Sequence, residues 1–178
     1  MSGRAAARGL RTPGRAAGAV RPAPRARVRV RVRVWTKKDP AASPEQLESA
    51  ALTVAGVAEA AAVPVHDELR GRLVEVYVVP RPGSNRSAIE REIHRIAMPK
   101  NVWIVADLPK THSGGIARCV LAGISNFTDV GDTTGLANPE IVEGIQRQVQ
   151  AAKLERGETP TKLTREQIEE IRAFGQSE

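Results

Sequence analysis

The chain has 178 residues, enough for one ordinary domain with a hydrophobic core and too few for a large two-domain enzyme. Its net charge of +7 comes from residues 1–38, which hold 12 arginines and lysines and no acidic residue; without those 12, the other 15 basic residues face 20 acidic ones. The single cysteine excludes an internal disulfide framework and a zinc site built on paired cysteines.

The apolar residues are spread too thinly for a membrane protein. No run approaches the ~20 apolar residues of a membrane helix, and the N-terminus lacks the uninterrupted apolar stretch of a secretory signal. We therefore expect a soluble protein with no membrane contact. Because one unpaired cysteine suits a reducing compartment, we expect a cytoplasmic location.

Residues 1–42 form a low-complexity tail rich in Arg, Ala and Pro. Residues 1–26 hold too little apolar surface to offset the entropy of ordering, which predicts disorder. An acid-free, arginine-rich start is also typical of an organelle transit peptide, although three prolines would break its helix: Pro13, Pro22 and Pro24.

The arginines of the tail also fit contact with a phosphate backbone. Arginine-rich arms bind polyanions without sequence preference, so residues 1–38 could contact nucleic acid or another polyanion. Within the tail, residues 27–34 alternate Arg and Val. A period of two predicts a short edge strand, and the same pattern also fits a simple low-complexity repeat.

The ordered part begins near Ser43, where a serine N-cap, a proline and Gln46 predict a helix to Val54. Two β-favouring runs follow, at 57–65 and 73–79. Pro64 lies in the first run, which indicates an edge strand or a strand end.

The second half predicts more helices and one more strand. Ser87 and Glu90 have the spacing of a capping box, and isoleucines at 89, 93 and 96 share one face of a helix that Pro99 ends. A short strand at 102–105 and a short helix at 116–121 come next. Asn138-Pro139 predicts a helix to Arg156 that Gly157 ends, and Thr164 with Gln167 caps the last one.

This order predicts an α/β (α+β) fold, a short sheet flanked by helices and preceded by the disordered basic tail. We expect residues 43–135 to form the domain and residues 136–178 a helical C-terminal extension.

Residues 108–125, LPKTHSGGIARCVLAGIS, resemble the signature loop near the C-terminus of adenylate-forming acyl-CoA synthetases. Residues 57–83 and 99–115 resemble the strands that lead to this loop. Residues 121–145, LAGISNFTDVGDTTGLANPEIVEGI, resemble a tail specific to the short-chain branch, the acetyl- and propionyl-CoA synthetases. The resemblance thus implies the small C-terminal domain of an AMP-binding, adenylate-forming enzyme.

In this family, ATP and a carboxylic acid give an acyl-adenylate and pyrophosphate, and coenzyme A then forms the thioester. The resemblance implies ATP, Mg²⁺ and coenzyme A as reactants and cofactors. It also implies that the contact loop contains five residues: Lys110, Thr111, Ser113, Gly114 and Arg118. The family's signature lysine would neutralise charge in the adenylation transition state, but its position here is Gly115. Removing one such group costs roughly 10²–10³ in rate.

Other departures from the family agree with a loss of activity. The ATP-binding N-terminal domain is not part of this sequence, and residues 32–42 replace the expected hinge. We therefore expect a stand-alone or truncated C-terminal domain of an acetate/propionate–CoA ligase, inactive alone and working at most with an N-terminal synthetase domain supplied in trans. The alternative is a non-catalytic binding module whose basic arm contacts nucleic acid, another polyanion or a protein.

The remaining polar residues have simpler interpretations. We expect Lys110 to be a solvated loop lysine, and Cys119 to be a small buried hydrophobe. The histidines, at 66, 94 and 112, have no metal-binding spacing and are expected at the surface or in turns. Asp129 and Asp132 are expected in a connecting loop, and no metal site is predicted.

Overall fold

The computed structural model describes residues 42–176. The expectations for the tail, including the strand at 27–34, lie outside the described residues. The described part holds five helices and one three-stranded sheet, which confirms the predicted α/β class. Its elements are α1 (Pro44–Leu52), β1 (Val57–Asp67), β2 (Gly71–Pro80), α2 (Arg86–Ala97), β3 (Asn101–Ile104), α3 (Arg118–Ser125), α4 (Glu140–Glu155) and α5 (Arg165–Ala173).

The sheet has the order β1-β2-β3. β1 and β2 form an antiparallel hairpin in which Ala61 is opposite Tyr77. β3 runs parallel to β2, with Trp103 opposite Tyr77. Parallel neighbours need a crossover connection, and α2 provides it. β2 is therefore the central strand.

The two faces of the sheet pack against different helices, because side chains alternate along each strand. One face, with Ala62, Val76 and Val102, joins the core of α1 and α2. The other, with Ala61, Tyr77 and Trp103, joins the core of α3, α4 and α5. The sheet is thus the middle of three layers. The second core takes in residues on both sides of position 136, so the C-terminal helices pack directly on the sheet layer.

Two of the three predicted capping boxes are confirmed. The Ser43 hydroxyl accepts from the Gln46 amide at the start of α1, and Thr164 with Gln167 does the same for α5. The capping box predicted from Ser87 and Glu90 is wrong. Asn85 caps α2 instead: its side chain accepts from the Ala88 amide at 3.1 Å. Asn85 has extended backbone, as an N-cap requires, whereas Ser87 already lies inside the helix.

α3 begins later than predicted. The sequence favoured a helix at 116–121, but Ile116 forms a β-bridge with Lys110 and the helix spans Arg118–Ser125. The β-bridge between Ile116 and Lys110 thus keeps residues 116–117 out of the helix, despite their helical propensity. None of the helices within 42–176 is long and apolar enough to cross a membrane.

β1 lies at the edge of the sheet, which confirms the interpretation of Pro64. Side chains cap its outer backbone groups. The Ala62 amide donates to the Glu48 carboxylate at 3.1 Å. Asn126 donates to the Pro64 carbonyl at 2.9 Å and accepts from the His66 amide at 3.0 Å. Because these groups are already bonded, this edge offers few free sites for pairing with another strand.

An ion pair is buried between β2 and α4. Lys153 is 1% exposed and Glu75 is 0% exposed, and the Lys153 ammonium donates to both Glu75 oxygens, at 2.6 and 3.0 Å. Trp103 donates its indole N–H to Glu75 at 2.7 Å, and Lys153 also donates to the Ser125 carbonyl at 2.6 Å. Burial lowers the pKa of Lys153, and the Glu75 carboxylate opposes that shift. The pair ties α4 to the central strand.

We predict that Lys153→Met destabilises the fold by about 3–5 kcal/mol, because it leaves the Glu75 carboxylate buried without a counter-charge. Urea unfolding followed by circular dichroism measures the loss.

The control is the double variant Lys153→Met with Glu75→Gln, in which an uncharged amide still accepts from Trp103. It should recover much of the lost stability, since removing both charges of a buried pair is often close to neutral. Equal losses in the single and double variants would contradict this account.

Candidate functional site

Residues 110–116 form a small hairpin, here called the signature hairpin. Lys110 and Ile116 form its β-bridge, and the Thr111 amide donates to the Gly115 carbonyl at 2.8 Å. Below it, the Ala117 amide donates to the Pro109 carbonyl at 2.8 Å. Residues 112–115 are exposed at the tip. The hairpin therefore carries position 115 on a short, hydrogen-bonded support.

The two glycines of the tip have different backbone conformations. Gly114 has a φ of +89°, which L side chains rarely adopt. Gly115 is not among the positive-φ residues, and a Cβ there would lie 3.4 Å from the Thr111 hydroxyl, an ordinary contact. Position 115 can thus accept a side chain without strain, whereas position 114 cannot.

Lys110 is not the solvated lysine that the sequence predicted. Its ammonium lies 2.8 and 3.1 Å from the two oxygens of Glu59 on β1, and its side chain is only 30% exposed. The hydrogen bond to Glu59 raises the pKa of Lys110. The residue holds the hairpin against the edge of the sheet.

Arg118 starts α3 and bonds to a carboxylate on α1. Its guanidinium donates to the two oxygens of Glu48, at 3.1 and 2.5 Å. The same carboxylate accepts from the Ala62 amide. Glu48 therefore joins α1, β1 and the helix that follows the hairpin. Glu48 and Glu59 escaped the sequence interpretation because neither lies in or near the loop along the chain.

A groove of about 500 Å³ opens beside the hairpin. Four of the predicted contact residues or positions line it: Thr111, Ser113, Gly115 and Arg118. Lys110 faces Glu59 instead, and Gly114 is not in the lining. Cys119 is half-buried, packs against the core and reaches the same groove.

The loop 129–132 and the end of α5 also line the groove. Asp129 accepts from the Gly131 amide at 3.0 Å, and Asp132 from the Thr134 amide at 2.9 Å. The Thr134 amide lowers the pKa of Asp132. Both acids therefore shape turns, which agrees with the expected connecting loop.

The three histidines differ in their surroundings. His112 is exposed at the hairpin tip and His94 is half-buried on α2. His66 departs from the expected surface position: it lies on β1 with a side chain 12% exposed. Its Nε2 has no hydrogen-bond partner within 42–176, and the Glu170 carboxylate lies 4.0 Å away. The described residues contain no group of three or more His, Cys, Asp or Glu side chains that could hold a metal ion.

The lysine and the arginine on either side of the hairpin tip both bond to carboxylates. Position 115 carries no side chain, Lys110 is paired with Glu59, and Arg118 is paired with Glu48. Residues 111–115 offer a threonine, a histidine, a serine and backbone groups, and they include no lysine or arginine. The hydroxyl and backbone N–H groups can donate hydrogen bonds but carry no positive charge.

Residues 46–114 match the family model for the AMP-binding enzyme C-terminal domain. The chain is 35% identical over 114 residues to the acetyl-coenzyme A synthetase of Mycolicibacterium smegmatis, covering 58% of this chain and 12% of that protein. It is 37% identical over 125 residues to the acetyl-coenzyme A synthetase of Coprinopsis cinerea, covering 62% and 19%.

Among solved structures, the acyl-CoA synthetase of Brucella canis is 31% identical, with a TM-score of 0.40 over 49% of this chain and 19% of that one. The chain thus spans less than a fifth of each of these three proteins. The sequence matches include the signature hairpin up to Gly114 and the strands that carry it.

We predict that Gly115→Lys leaves the free energy of unfolding within about 0.5 kcal/mol of wild type, because the position is exposed and its backbone is ordinary. Gly114→Ala is the matched control at the neighbouring residue and should cost about 1–2 kcal/mol through its positive φ. Thermal unfolding of both variants measures the difference. A larger loss for Gly115→Lys than for Gly114→Ala would show that position 115 is more constrained than its geometry indicates.

Proposed function

We propose that this chain acts as the small domain of a short-chain acyl-CoA synthetase, since residues 46–114 match the family model for the AMP-binding enzyme C-terminal domain. Acetate or propionate would be the acid, and ATP and coenzyme A the other reactants. The similarity to acetyl-coenzyme A synthetases over 114–125 residues supports this choice. Mg²⁺ and coenzyme A enter through the family resemblance alone, and we assign no residue within 42–176 to them. The unpaired Cys119 suits the cytoplasm as the place of action.

We propose further that the domain is inactive by itself in adenylate formation. The observation that carries this proposal is the exposed glycine at position 115 of an otherwise intact hairpin. In the proposed reaction, the acid attacks the α-phosphate of ATP and pyrophosphate leaves. A cation at position 115 would neutralise the charge that builds there, and glycine supplies none. The neighbouring cations Lys110 and Arg118 are each paired with a carboxylate.

Thioester formation makes a different demand on the domain. In that step the thiolate of coenzyme A attacks the carbonyl carbon of the acyl-adenylate, and AMP leaves. The family resemblance assigns another face of the small domain to this step. The absence of a lysine at 115 should therefore impair the first step and spare the second. This difference allows the charge at 115 to be tested separately from the fold.

We predict that Gly115→Lys restores adenylation by about 10²–10³-fold, the usual value of one preorganised donor. The assay grafts residues 43–178 onto the N-terminal domain of an acetyl-coenzyme A synthetase and follows acetate- and propionate-dependent exchange of pyrophosphate into ATP. Gly115→Met is the matched control, since it adds a chain of similar length without charge.

Thioester formation from supplied acetyl-adenylate and coenzyme A provides the second readout. It should proceed at similar rates with Gly, Met or Lys at position 115. Equal adenylation by the Met and Lys variants would refute the role of charge. A graft that makes no thioester from acetyl-adenylate would refute the proposed synthetase role itself.

The charge of residues 1–38 favours a second function, polyanion binding. Twelve basic residues without an acidic one precede a part of the chain that is net negative. We propose that this arm contacts nucleic acid or another polyanion through charge alone.

Removing residues 1–38 should abolish retention on heparin at low salt, and full-length protein should elute as salt rises. The control replaces the arginines of residues 1–38 with glutamines, which keeps the length. Retention that survives both changes would place the polyanion contact in the domain instead.

A further inference from the structure

A second segment of chain lies alongside the signature hairpin. Thr111 forms a β-bridge with Leu136, and the Ala137 amide donates to the Lys110 carbonyl at 2.8 Å. Residues 136–138 thus act as a third, very short strand beside the hairpin. Leu136 is 8% exposed and joins the core beneath α3, so this strand is anchored from below.

Asn138 ends this strand and bonds to the hairpin with its side chain. Its Oδ1 accepts from the Lys110 amide at 2.8 Å. Its Nδ2 donates to the Leu108 carbonyl at 2.9 Å and to the Asp107 carboxylate at 3.1 Å. The side-chain amide therefore satisfies a backbone donor and a backbone acceptor two residues apart, as a neighbouring strand would.

The other end of Asn138 is fixed by α4. Pro139 follows it as the N-cap, and α4 runs from Glu140 to the buried Lys153–Glu75 pair on the central strand. α4 also places Val142, Ile145 and Val149 in the core. A displacement of Asn138 would have to move this helix or break the three hydrogen bonds.

We propose that Asn138 is a positioning residue that holds the base of the signature hairpin, and that residues 136–138 serve as its brace. This inference rests on the proposed function, since it assigns the hairpin a task at the reacting phosphate. The brace lies within residues 121–145. The sequence of residues 108–125 gives no indication that this later segment supports the hairpin. Asn138 does not line the groove, so we assign its effect to the orientation of positions 110–116.

The first test uses the full chain and needs no activity. The backbone amide of Lys110 donates to the Asn138 side chain. Asn138→Ala should therefore raise the hydrogen-exchange rate of the Lys110 amide about tenfold or more. The amides of Thr111 and Ala117 should exchange faster as well. The amides of Val76 and Val78, on the central strand, should not change. Exchange is read residue by residue by NMR.

Two further variants separate the brace from a general loss of stability. Asn138→Asp keeps the acceptor for Lys110 but places a second carboxylate beside Asp107, so it should loosen the hairpin. The swap Asp107→Asn with Asn138→Asp restores one amide and one carboxylate but leaves the Leu108 carbonyl without its donor, so it should restore part of the protection at Lys110. Asn85→Ala is the matched control. It removes an asparagine side chain that accepts one hydrogen bond, from the Ala88 amide at the start of α2, and it should leave the hairpin unchanged.

The second test uses the graft that carries Gly115→Lys. Adding Asn138→Ala should lower kcat for pyrophosphate exchange about tenfold with little change in KM for ATP, and the swap should recover part of it. Unchanged exchange at Lys110 in Asn138→Ala, or equal acceleration in the central strand, would overturn the brace. A brace that holds in the first test while Gly115→Lys fails to restore adenylation would instead overturn the proposed role of charge at position 115, and a graft that makes no thioester would overturn the proposed function. If Asn138→Ala instead raises KM and lowers kcat together, and the swap recovers neither, Asn138 has only a structural role.

Discussion

The buried pair of Glu75 and Lys153 is the contact on which the arrangement of the C-terminal helices depends. A carboxylate at the centre of a sheet is costly unless its charge and lone pairs are satisfied. Here one ammonium, one indole N–H and the Asn101 amide surround it, at 2.6–3.3 Å. Since Lys153 comes from α4, the sheet can satisfy its own buried charge only when that helix is docked. The pair therefore selects one position for α4 among the many that apolar packing would tolerate.

The docking of α4 also determines the position of the signature hairpin. α4 begins directly after Asn138, whose side chain bonds to the base of the hairpin. On the opposite side, Glu48 holds Arg118, and Glu59 holds Lys110. The hairpin is thus fixed from α1, β1 and α4, three elements distant in sequence. Two of these contacts use Lys110 and Arg118, so the bonds that position the loop also pair these two cations with carboxylates.

Local signals in the sequence predicted most of the fold. Ser43-Gln46 and Thr164-Gln167 identify helix starts because a cap is decided within four residues, and the isoleucines of α2 identify a buried face by spacing alone. α3 was misplaced because Ile116 is held by a partner across the hairpin, which propensity cannot show. The pairing of Glu75 with Lys153, 78 residues apart, was equally hidden. Of the site, the loop was predicted from its residues, whereas Glu48, Glu59 and Asn138 became visible only through long-range contacts.

The backbone bonds that form the hairpin do not depend on the residue type at position 115. The hydrogen bond that closes the tip uses the carbonyl of Gly115, and the β-bridge uses the backbone of Lys110 and Ile116. None of these bonds needs a side chain at 115, so the hairpin forms with glycine there. The hairpin is also held by bonds to Lys110 and Arg118, made by Asn138, Glu59 and Glu48. These bonds do not involve position 115, so they do not depend on the residue there. The shape of the hairpin and the side chain carried at position 115 are therefore independent of each other, so substitutions at 115 can change the chemistry of the tip without changing its backbone.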